Sequence, residues 1–227
     1  MITVISLGGS IVAPDGVDTG YLKEFRVCVR EYLAEDARRR LILVIGGGAP
    51  ARRYQAAYRE ISERAQSDAQ DWIGIAATRL NGELVRGLFP EECLEALVTN
   101  PGEAVFTGRI LVAAGWKPGF SSDYDAVFLA EKFGAATVIN LSNISRVYTA
   151  DPRLDPGAKP LDRLTWAEFR AIVGDEWTPG RNAPFDPVAA KKASELKMKV
   201  IVAAGKDLDT IASILRGKPF SGTTIGD

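Results

Sequence analysis

Histidine is entirely absent from this chain of 227 residues. That absence excludes Ser-His-Asp and Cys-His nucleophile systems, imidazole metal ligands and acid–base catalysis by histidine. Any chemistry must therefore use lysine, arginine, carboxylates, hydroxyl groups and backbone amides. Phosphoryl transfer can do so, because it depends mainly on positioning and on the neutralisation of charge.

Cysteine, long apolar runs and net charge are also scarce. Cys28 and Cys93 lie far apart without metal-ligand spacing, which favours reduced, packed thiols in a cytoplasmic protein. No apolar run reaches the ~18 residues needed to span a bilayer, and Gly8 and Gly9 interrupt any signal-like N-terminus. A net charge of −1 gives no support for a nucleic-acid surface. We therefore expect a cytoplasmic protein that binds small molecules, with neither nucleic acid nor membrane as a partner.

Two common nucleotide-binding motifs are missing or incomplete. The pattern Gly-x4-Gly-Lys-Ser/Thr does not occur, which argues against a Walker-type site. Residues 46–51 match Gly-x-Gly-x-x-Ala, but a dinucleotide site also needs an acidic residue at the end of a second strand. Asp68 and Asp71 stand at about the right distance in a polar stretch with no strand before them. The dinucleotide interpretation is therefore weak.

The most informative feature present is a pair of glycine turns. Residues 2–7 and 41–45 are short apolar runs, and each leads directly into glycines, at 8–9 and at 46–48. Glycines after a strand let backbone N–H groups approach an anion without obstruction, and a following helix adds partial positive charge. Two such turns predict two phosphate-bearing ligands held side by side, as a phosphotransferase requires.

Apolar runs alternate with helical patterns along the chain, which predicts an α/β fold around a mainly parallel sheet. We expect one domain over residues 1–227, with the ligands at the carboxyl ends of the strands. The predicted strands are 2–7, 41–46, 93–98, 109–114, 137–142 and 199–204. The predicted helices are 21–37, 50–65, 74–88, 125–133 and 187–196. Residues 142–162 and 175–187 are rich in turn-forming residues and are predicted to be loops.

Two further segments carry polar residues of interest. Residues 118–123, Pro-Gly-Phe-Ser-Ser-Asp, follow an apolar run and precede a helix, so they form a third candidate anion site. Ser122 or Asp123 can serve there simply as a helix N-cap, a role that is compatible with ligand binding. Residues 186–191 place Lys191 near the start of a helix, where a surface lysine is the simpler interpretation.

Taken in order, these elements resemble the amino acid kinase family, and within it the UMP kinases of the archaeal type. The resemblance spans almost the whole chain and rests on an ordered set of motifs: 8–10, 46–48 with 51–54, 71–75, 78–81, 118–123, 148–152, 186–191 and 222–225. It implies a three-layer α/β/α sandwich that assembles into homo-oligomers, hexameric in UMP kinases.

The resemblance also implies a role for each matching position. The ATP phosphates would be held by Gly9, Ser10, Gly48 and Arg52, and the ATP nucleoside by Ser142, Tyr148 and Asp151. UMP would be bound by Gly47, Asp71, Trp116, Lys117, Pro118, Gly119, Phe120, Ser121 and Ser122. Asp123 would be the active-site aspartate, and Lys191 would neutralise the transferred phosphoryl group. Magnesium would bridge the ATP phosphates, with no metal site formed by the protein itself.

The implied activity is transfer of the ATP γ-phosphoryl group to UMP, giving UDP and ADP. Two alternatives stay open: a kinase of this family for another small phosphate or carboxylate, and a non-catalytic nucleotide-binding relative. Several positions depart from the family pattern, among them Trp116, Lys117 and Phe120 around the Pro-Gly pair. Ser6 stands where many members have lysine, and Ser145 and Arg146 replace an aspartate and a glycine. Arg146 either supplies the missing positive charge or obstructs the ATP pocket.

Overall fold

Strands and helices alternate along the chain in the computed structural model, which describes residues 1–174 and 183–227. The strands in this part are β1 (Ile2–Leu7), β2 (Arg40–Ile45), β3 (Ile110–Ala114), β4 (Thr137–Ser142), β5 (Val147–Tyr148), β6 (Pro160–Leu161), β7 (Arg163–Leu164), β8 (Lys199–Ala204) and β9 (Thr223–Ile225). The helices are α1 (Gly9–Val12), α2 (Thr19–Ala34), α3 (Gly48–Ile61), α4 (Ser67–Gly87), α5 (Ser122–Phe133), α6 (Trp166–Val173), α7 (Pro187–Glu195) and α8 (Leu208–Leu215).

The main sheet has the strand order β3-β2-β1-β4-β8-β9-β7. Its first five strands are parallel, and β9 then pairs antiparallel with β8. The register aligns Leu7 of β1 with Ile45 of β2 on one side and with Leu141 of β4 on the other. Ile45 is aligned in turn with Ala114 of β3. The carboxyl ends of these strands therefore meet at one edge of the sheet, where both glycine turns lie.

Helices cover both faces of the sheet, because alternate strand side chains point to opposite faces. Val4, Ile42 and Val44 are buried in a core with residues of α5, α6 and α7. Ile5 and Leu43 are buried in a second core with residues of α2 and α8. The predicted three-layer α/β/α sandwich is confirmed. No helix in the described residues is long and apolar enough to cross a membrane.

The predicted strand over residues 93–98 is wrong. Only Val98 pairs with the sheet, in an isolated bridge to Ala113 of β3. The start of the segment is held differently, since the Cys93 N–H donates to the Phe89 carbonyl at 2.9 Å. Cys93 and Val98 are both buried, so the apolar pattern reflects packing of a connecting segment rather than a strand.

The predicted helices all form, and capping residues explain where two of them start. Asp18 caps α2, its Oδ1 accepting from the Tyr21 N–H at 2.9 Å. Ser121 caps α5 through a hydrogen bond from the Tyr124 N–H at 3.2 Å. The prediction that Ser122 or Asp123 would be this cap is therefore wrong by one or two positions.

The two predicted loops differ in outcome. Residues 142–162 contain a short antiparallel hairpin of β5 and β6, so they are not wholly irregular. Of the loop predicted at 175–187, residues 175–182 lie outside the described residues. Pro187, at its end, is the first residue of α7, which Asp186 caps by accepting from the Ala189 N–H at 2.7 Å.

Candidate active site

The two glycine turns are in direct backbone contact. A Cβ added to Gly9 would lie 1.9 Å from the backbone nitrogen of Gly48, and one added to Gly46 would lie 2.4 Å from that of Gly9. Gly48 also has a φ of +66°, a backbone conformation that is strained for any residue with a Cβ atom. The glycines at these three positions are therefore required by packing, and the turns after β1 and β2 form one continuous surface.

The amides of these turns are unequally available to a ligand. The Gly8 N–H donates to the Leu141 carbonyl at 2.8 Å and the Gly46 N–H to the Leu7 carbonyl at 3.0 Å. The amides of Gly47 and Gly48 make no hydrogen bond to any residue that the structure describes. The Gly9 and Ser10 amides of the first turn are likewise without a hydrogen bond in the described residues, so free anion-binding groups lie at both turns.

A cavity of about 260 Å³ opens at this edge of the sheet. Six residues predicted to bind UMP line it: Gly47, Asp71, Gly119, Phe120, Ser121 and Ser122. They come from the second glycine turn, from α4 and from the segment that leads into α5. Asp71 links two of these elements, because its Oδ2 accepts from the Gly119 N–H at 2.9 Å.

Trp116, Lys117 and Pro118, also predicted for UMP, do not line this cavity. Trp116 instead packs against the ring of Phe120, with 5.1 Å between the centroids. The Lys117 ammonium lies 4.1 Å from the centre of the Trp116 ring, a cation–π contact. These residues thus support the cavity wall formed by Phe120 rather than the cavity itself.

Asp123 sits beside the cavity in a network of hydrogen bonds. Its Oδ1 accepts from the Ser6 hydroxyl at 2.8 Å, and its Oδ2 accepts from the Asp186 N–H at 3.1 Å. Burial raises the pKa of Asp123 to about 6, with the nearby Asp186 carboxylate adding to the shift and the Ser6 hydrogen bond opposing it. Burial also raises the pKa of Asp186. The Asp123 carboxyl therefore lies at the start of α7, close enough to the Asp186 carboxylate for the two charges to interact.

The residues predicted for the ATP phosphates and transferred phosphoryl group are less closely assembled. Gly9, Ser10 and Gly48 lie at the joined turns, whereas Arg52 is exposed, with its guanidinium 3.5 Å from the Pro14 carbonyl. Lys191 is exposed on α7, one turn after Val188, which lines the cavity.

The residues predicted for the ATP nucleoside lie along and after β4. The Ser142 hydroxyl accepts from the Ile144 N–H at 3.1 Å. Tyr148 lies in β5, and Asp151 forms an ion pair with Arg153 at 2.7 Å. Hydrogen bonds from Arg153 lower the pKa of Asp151 to about 2. None of these residues lines the cavity described above.

Arg146 forms its contacts away from the glycine turns in this structure. Its guanidinium pairs with the Asp162 carboxylate and donates to the Ser221 hydroxyl at 3.2 Å. It therefore ties the β5–β6 hairpin to the segment before β9. Neither of these contacts joins Arg146 to the glycine turns or the cavity.

The polar residues that sequence reasoning missed include Gln55, Thr78 and Asp186, which line the cavity, and Asp125, which lies behind its wall. Thr78 and Asp186 line the cavity and lie within motifs that carried the family resemblance, so their positions could have been used. Gln55 also lines it, and its Nε2 donates to the Gln70 carbonyl at 2.9 Å. No sequence signal marks Gln55, because that contact depends on how α3 packs against α4. Asp125 is buried behind Trp116.

Similarity to known proteins extends over the whole chain. The profile of the amino acid kinase family matches residues 1–204. A uridylate kinase of Methanospirillum hungatei is 35% identical, covering 98% of this chain and 93% of the relative. One of Hyperthermus butylicus is 34% identical, covering 98% and 97%. The crystal structure of uridylate kinase from Archaeoglobus fulgidus superposes with a TM-score of 0.85 at 32% identity, covering 100% of both chains. The chain therefore belongs to the amino acid kinase family.

Proposed function

We propose that this protein is an ATP-dependent UMP kinase, which transfers the ATP γ-phosphoryl group to UMP to give UDP and ADP. The observation that carries the proposal is the cavity lined by Asp71, Ser121 and Ser122 beside two joined glycine turns. The full-length similarity to archaeal uridylate kinases supports the same activity. We infer that residues 1–227 act as a single amino acid kinase-like domain.

UMP would occupy the cavity with its phosphate toward α5. The hydroxyls of Ser121 and Ser122 and the first turn of this helix offer hydrogen-bond donors and partial positive charge. Asp71 would accept from the ribose hydroxyls, while Gly47 leaves room for the ligand. The Phe120 ring lines the cavity and gives an apolar surface for the base, with Trp116, Lys117 and Pro118 holding that wall in place.

ATP would bind across the first turn, with its phosphates at Gly9, Ser10, Gly48 and Arg52. Its nucleoside would extend toward Ser142, Tyr148 and Asp151. Magnesium would enter on the ATP phosphates and neutralise part of their charge. The described residues contain no group of three His, Cys, Asp or Glu side chains placed to hold a metal.

The transfer would be direct and in line. A UMP phosphate oxygen forms a bond to the γ-phosphorus while the bond from that phosphorus to the β–γ bridging oxygen breaks, and ADP leaves. Lys191 is exposed, and the ammonium at the end of its flexible side chain would neutralise charge on the transferred phosphoryl group. Asp123 would orient the reacting groups from its network with Ser6 and Asp186. Such catalysis by positioning and charge is the norm for phosphoryl transfer.

We also propose that the chain forms a homo-oligomer, a hexamer by resemblance to UMP kinases. The exposed side of α4 carries Trp72, Leu80 and Leu84, and Leu80 has 70% of its surface accessible. An apolar surface of this kind is typical of an interface between subunits. Light scattering coupled to size-exclusion chromatography tests this by measuring the mass in solution. We expect an oligomer for the wild type and a lower mass for Leu80→Asp. A monomer mass for both proteins would contradict the proposal.

A coupled assay with ATP, magnesium and each nucleoside monophosphate in turn tests the proposed activity. ADP production with UMP, and little with AMP, GMP or CMP, is the expected result. Turnover of a different small phosphate or carboxylate instead would assign another member of the family. Tight ATP binding by calorimetry without turnover of any acceptor would identify a non-catalytic nucleotide-binding relative.

A further inference from the structure

Asp125 is a buried carboxylate with only half of its hydrogen-bonding capacity used. Its residue surface is 1% exposed. Oδ2 accepts from the backbone N–H of Trp116 at 3.1 Å, and Oδ1 has no partner in the part of the chain that the structure describes. A buried polar atom without a partner destabilises the folded state. Such a residue at a site often serves a function that offsets this cost.

The bond from Asp125 falls at the start of the segment that forms one wall of the cavity. Residues 115–121 run from the end of β3 to the cap of α5, and Gly119, Phe120 and Ser121 of this segment line the cavity. Asp125 itself does not line the cavity. Any effect it has on a ligand must therefore act through the segment.

Side chains of α4 hold the same segment from the other side. Thr78 accepts from the Gly115 N–H at 2.8 Å, and Arg79 donates to the Trp116 carbonyl at 3.0 Å. Asp71 accepts from the Gly119 N–H further along, at 2.9 Å. The backbone of Trp116 is thus held at its carbonyl by Arg79 of α4 and at its N–H by Asp125 of α5. These two contacts set the direction in which the backbone leaves β3.

We propose that Asp125 is a positioning residue for the phosphoryl acceptor, holding the Trp116 amide so that Gly119, Phe120 and Ser121 form the acceptor cavity. This inference rests on the proposed function, since UMP is the acceptor. The direction of the effect follows from the geometry. Loss of the Oδ2 acceptor frees the backbone N–H of Trp116, and the looser cavity wall weakens UMP binding. The joined glycine turns that would hold ATP are unaffected.

Two variants of similar shape isolate the hydrogen bond. Asp125→Asn keeps an oxygen that can accept from the Trp116 N–H, whereas Asp125→Leu removes it. Asp209→Asn, on an exposed carboxylate of α8, serves as the control. The measurements are the UMP dissociation constant by calorimetry, and the UMP KM, the ATP KM and kcat in the coupled assay.

We expect Asp125→Leu to raise the UMP Kd and KM about tenfold, the effect of losing one well-placed hydrogen bond. The kcat of this variant at saturating UMP and its ATP KM should stay within about twofold of the wild type. The UMP Kd and KM of Asp125→Asn should lie within about threefold of the wild-type values. Unchanged UMP constants in the leucine variant overturn the inference. So does an equal rise in both KM values, because that result indicates general loosening of the site.

If Asp125→Leu does not fold, hydrogen exchange in the wild-type protein provides a second test. If the hydrogen bond supports the UMP-bound conformation, UMP must in turn slow hydrogen exchange at the Trp116 amide, because coupling is reciprocal. An exchange rate that UMP leaves unchanged overturns the inference. Absence of wild-type turnover refutes only the proposed function, since calorimetry still reports whether Asp125 affects UMP binding.

Discussion

The Ser6 hydroxyl donates a hydrogen bond to Oδ1 of Asp123, with 2.8 Å between the two oxygens. Ser6 is 1% exposed and lies in β1, two residues before the first glycine turn. Here a neutral donor meets the proposed active-site aspartate, so no charge at this position offsets the carboxylate. The raised pKa of Asp123 follows from burial without a facing cation.

Removing the Ser6 hydroxyl should move the acid side of the pH–rate profile to higher pH. The hydrogen bond from Ser6 lowers the pKa of Asp123, so Ser6→Ala should raise that pKa further above about 6. If transfer requires ionised Asp123, activity at pH 6 falls more than activity at pH 8. Ser6→Thr, which keeps a hydroxyl, is the control. A profile of kcat/KM that does not move in Ser6→Ala contradicts this role.

Asp123→Asn should abolish transfer while the protein stays folded. The change removes the negative charge but preserves the size of a side chain that contacts Ser6 and Asp186. We expect kcat to fall by about 10²-fold or more, as for other groups that act at the reacting centre. Circular dichroism and UMP calorimetry provide the controls. Activity near that of the wild type would mean that the site has been placed wrongly.

Stability should fall as the pH rises from about 4 to about 8, in part because of Asp125. Burial raises the pKa of this carboxyl to about 7. The folded state therefore binds the proton more tightly than the unfolded state, so the stabilising contribution is present below pH 4 and is lost through pH 7. Asp125→Asn should raise the free energy of unfolding by about 1–3 kcal/mol at pH 8, and by less at pH 5.

Urea denaturation of both proteins at pH 5 and pH 8 measures this difference. Asp209→Asn, on the exposed surface, should change stability equally little at both pH values. An identical effect of Asp125→Asn at the two pH values would show that the carboxyl does not titrate in this range.

Gly9→Ala should destabilise the protein strongly, because the new Cβ would lie 1.9 Å from the Gly48 nitrogen. We expect a loss of more than about 3 kcal/mol in the free energy of unfolding, as for severe overpacking against backbone. Gly16→Ala is the matched control, since nothing lies within 4 Å of its added Cβ. Thermal and urea denaturation would measure both, and equal effects would contradict the close approach of the turns.

Arg146→Gly should leave ATP affinity and turnover within about twofold of the wild type. The guanidinium is engaged with Asp162 and Ser221 rather than with the site. The ion pair lies partly at the surface, so its loss should cost less than about 1 kcal/mol of stability. ATP calorimetry and the coupled assay test this. A rise in ATP affinity would show obstruction, and a large loss of rate would show participation.

The strand–helix alternation could be predicted because each parallel strand is buried on both faces and appears as an apolar run. The five parallel strands β1, β2, β3, β4 and β8 were predicted to within a residue for this reason. The prediction for residues 93–98 was wrong, because burial of Cys93 and Val98 produces an apolar pattern without a ladder of hydrogen bonds. Apolar content alone does not distinguish a strand from a buried connection.

The site was predictable where local chain geometry determines it and not where packing does. Glycine turns have a local signature, so the turns at 8–9 and 46–48 could be identified from the amino-acid sequence, whereas the cap of α5 was predicted one or two residues late. Gln55 contacts Gln70 because α3 packs against α4. Asp125 is buried behind Trp116 because the segment after β3 folds back onto α5. No spacing in a single sequence reports such contacts.

The register between β1 and β2 sets the spacing of the two glycine turns. Leu7 and Ile45 are paired across adjacent strands, and the turn that follows each of them begins at the same level. Neighbouring strands lie about 4.8 Å apart, so backbone hydrogen bonding fixes the distance between the two turns. Changes in the cavity wall can alter which acceptor binds, but the spacing of the glycine turns is a property of the sheet.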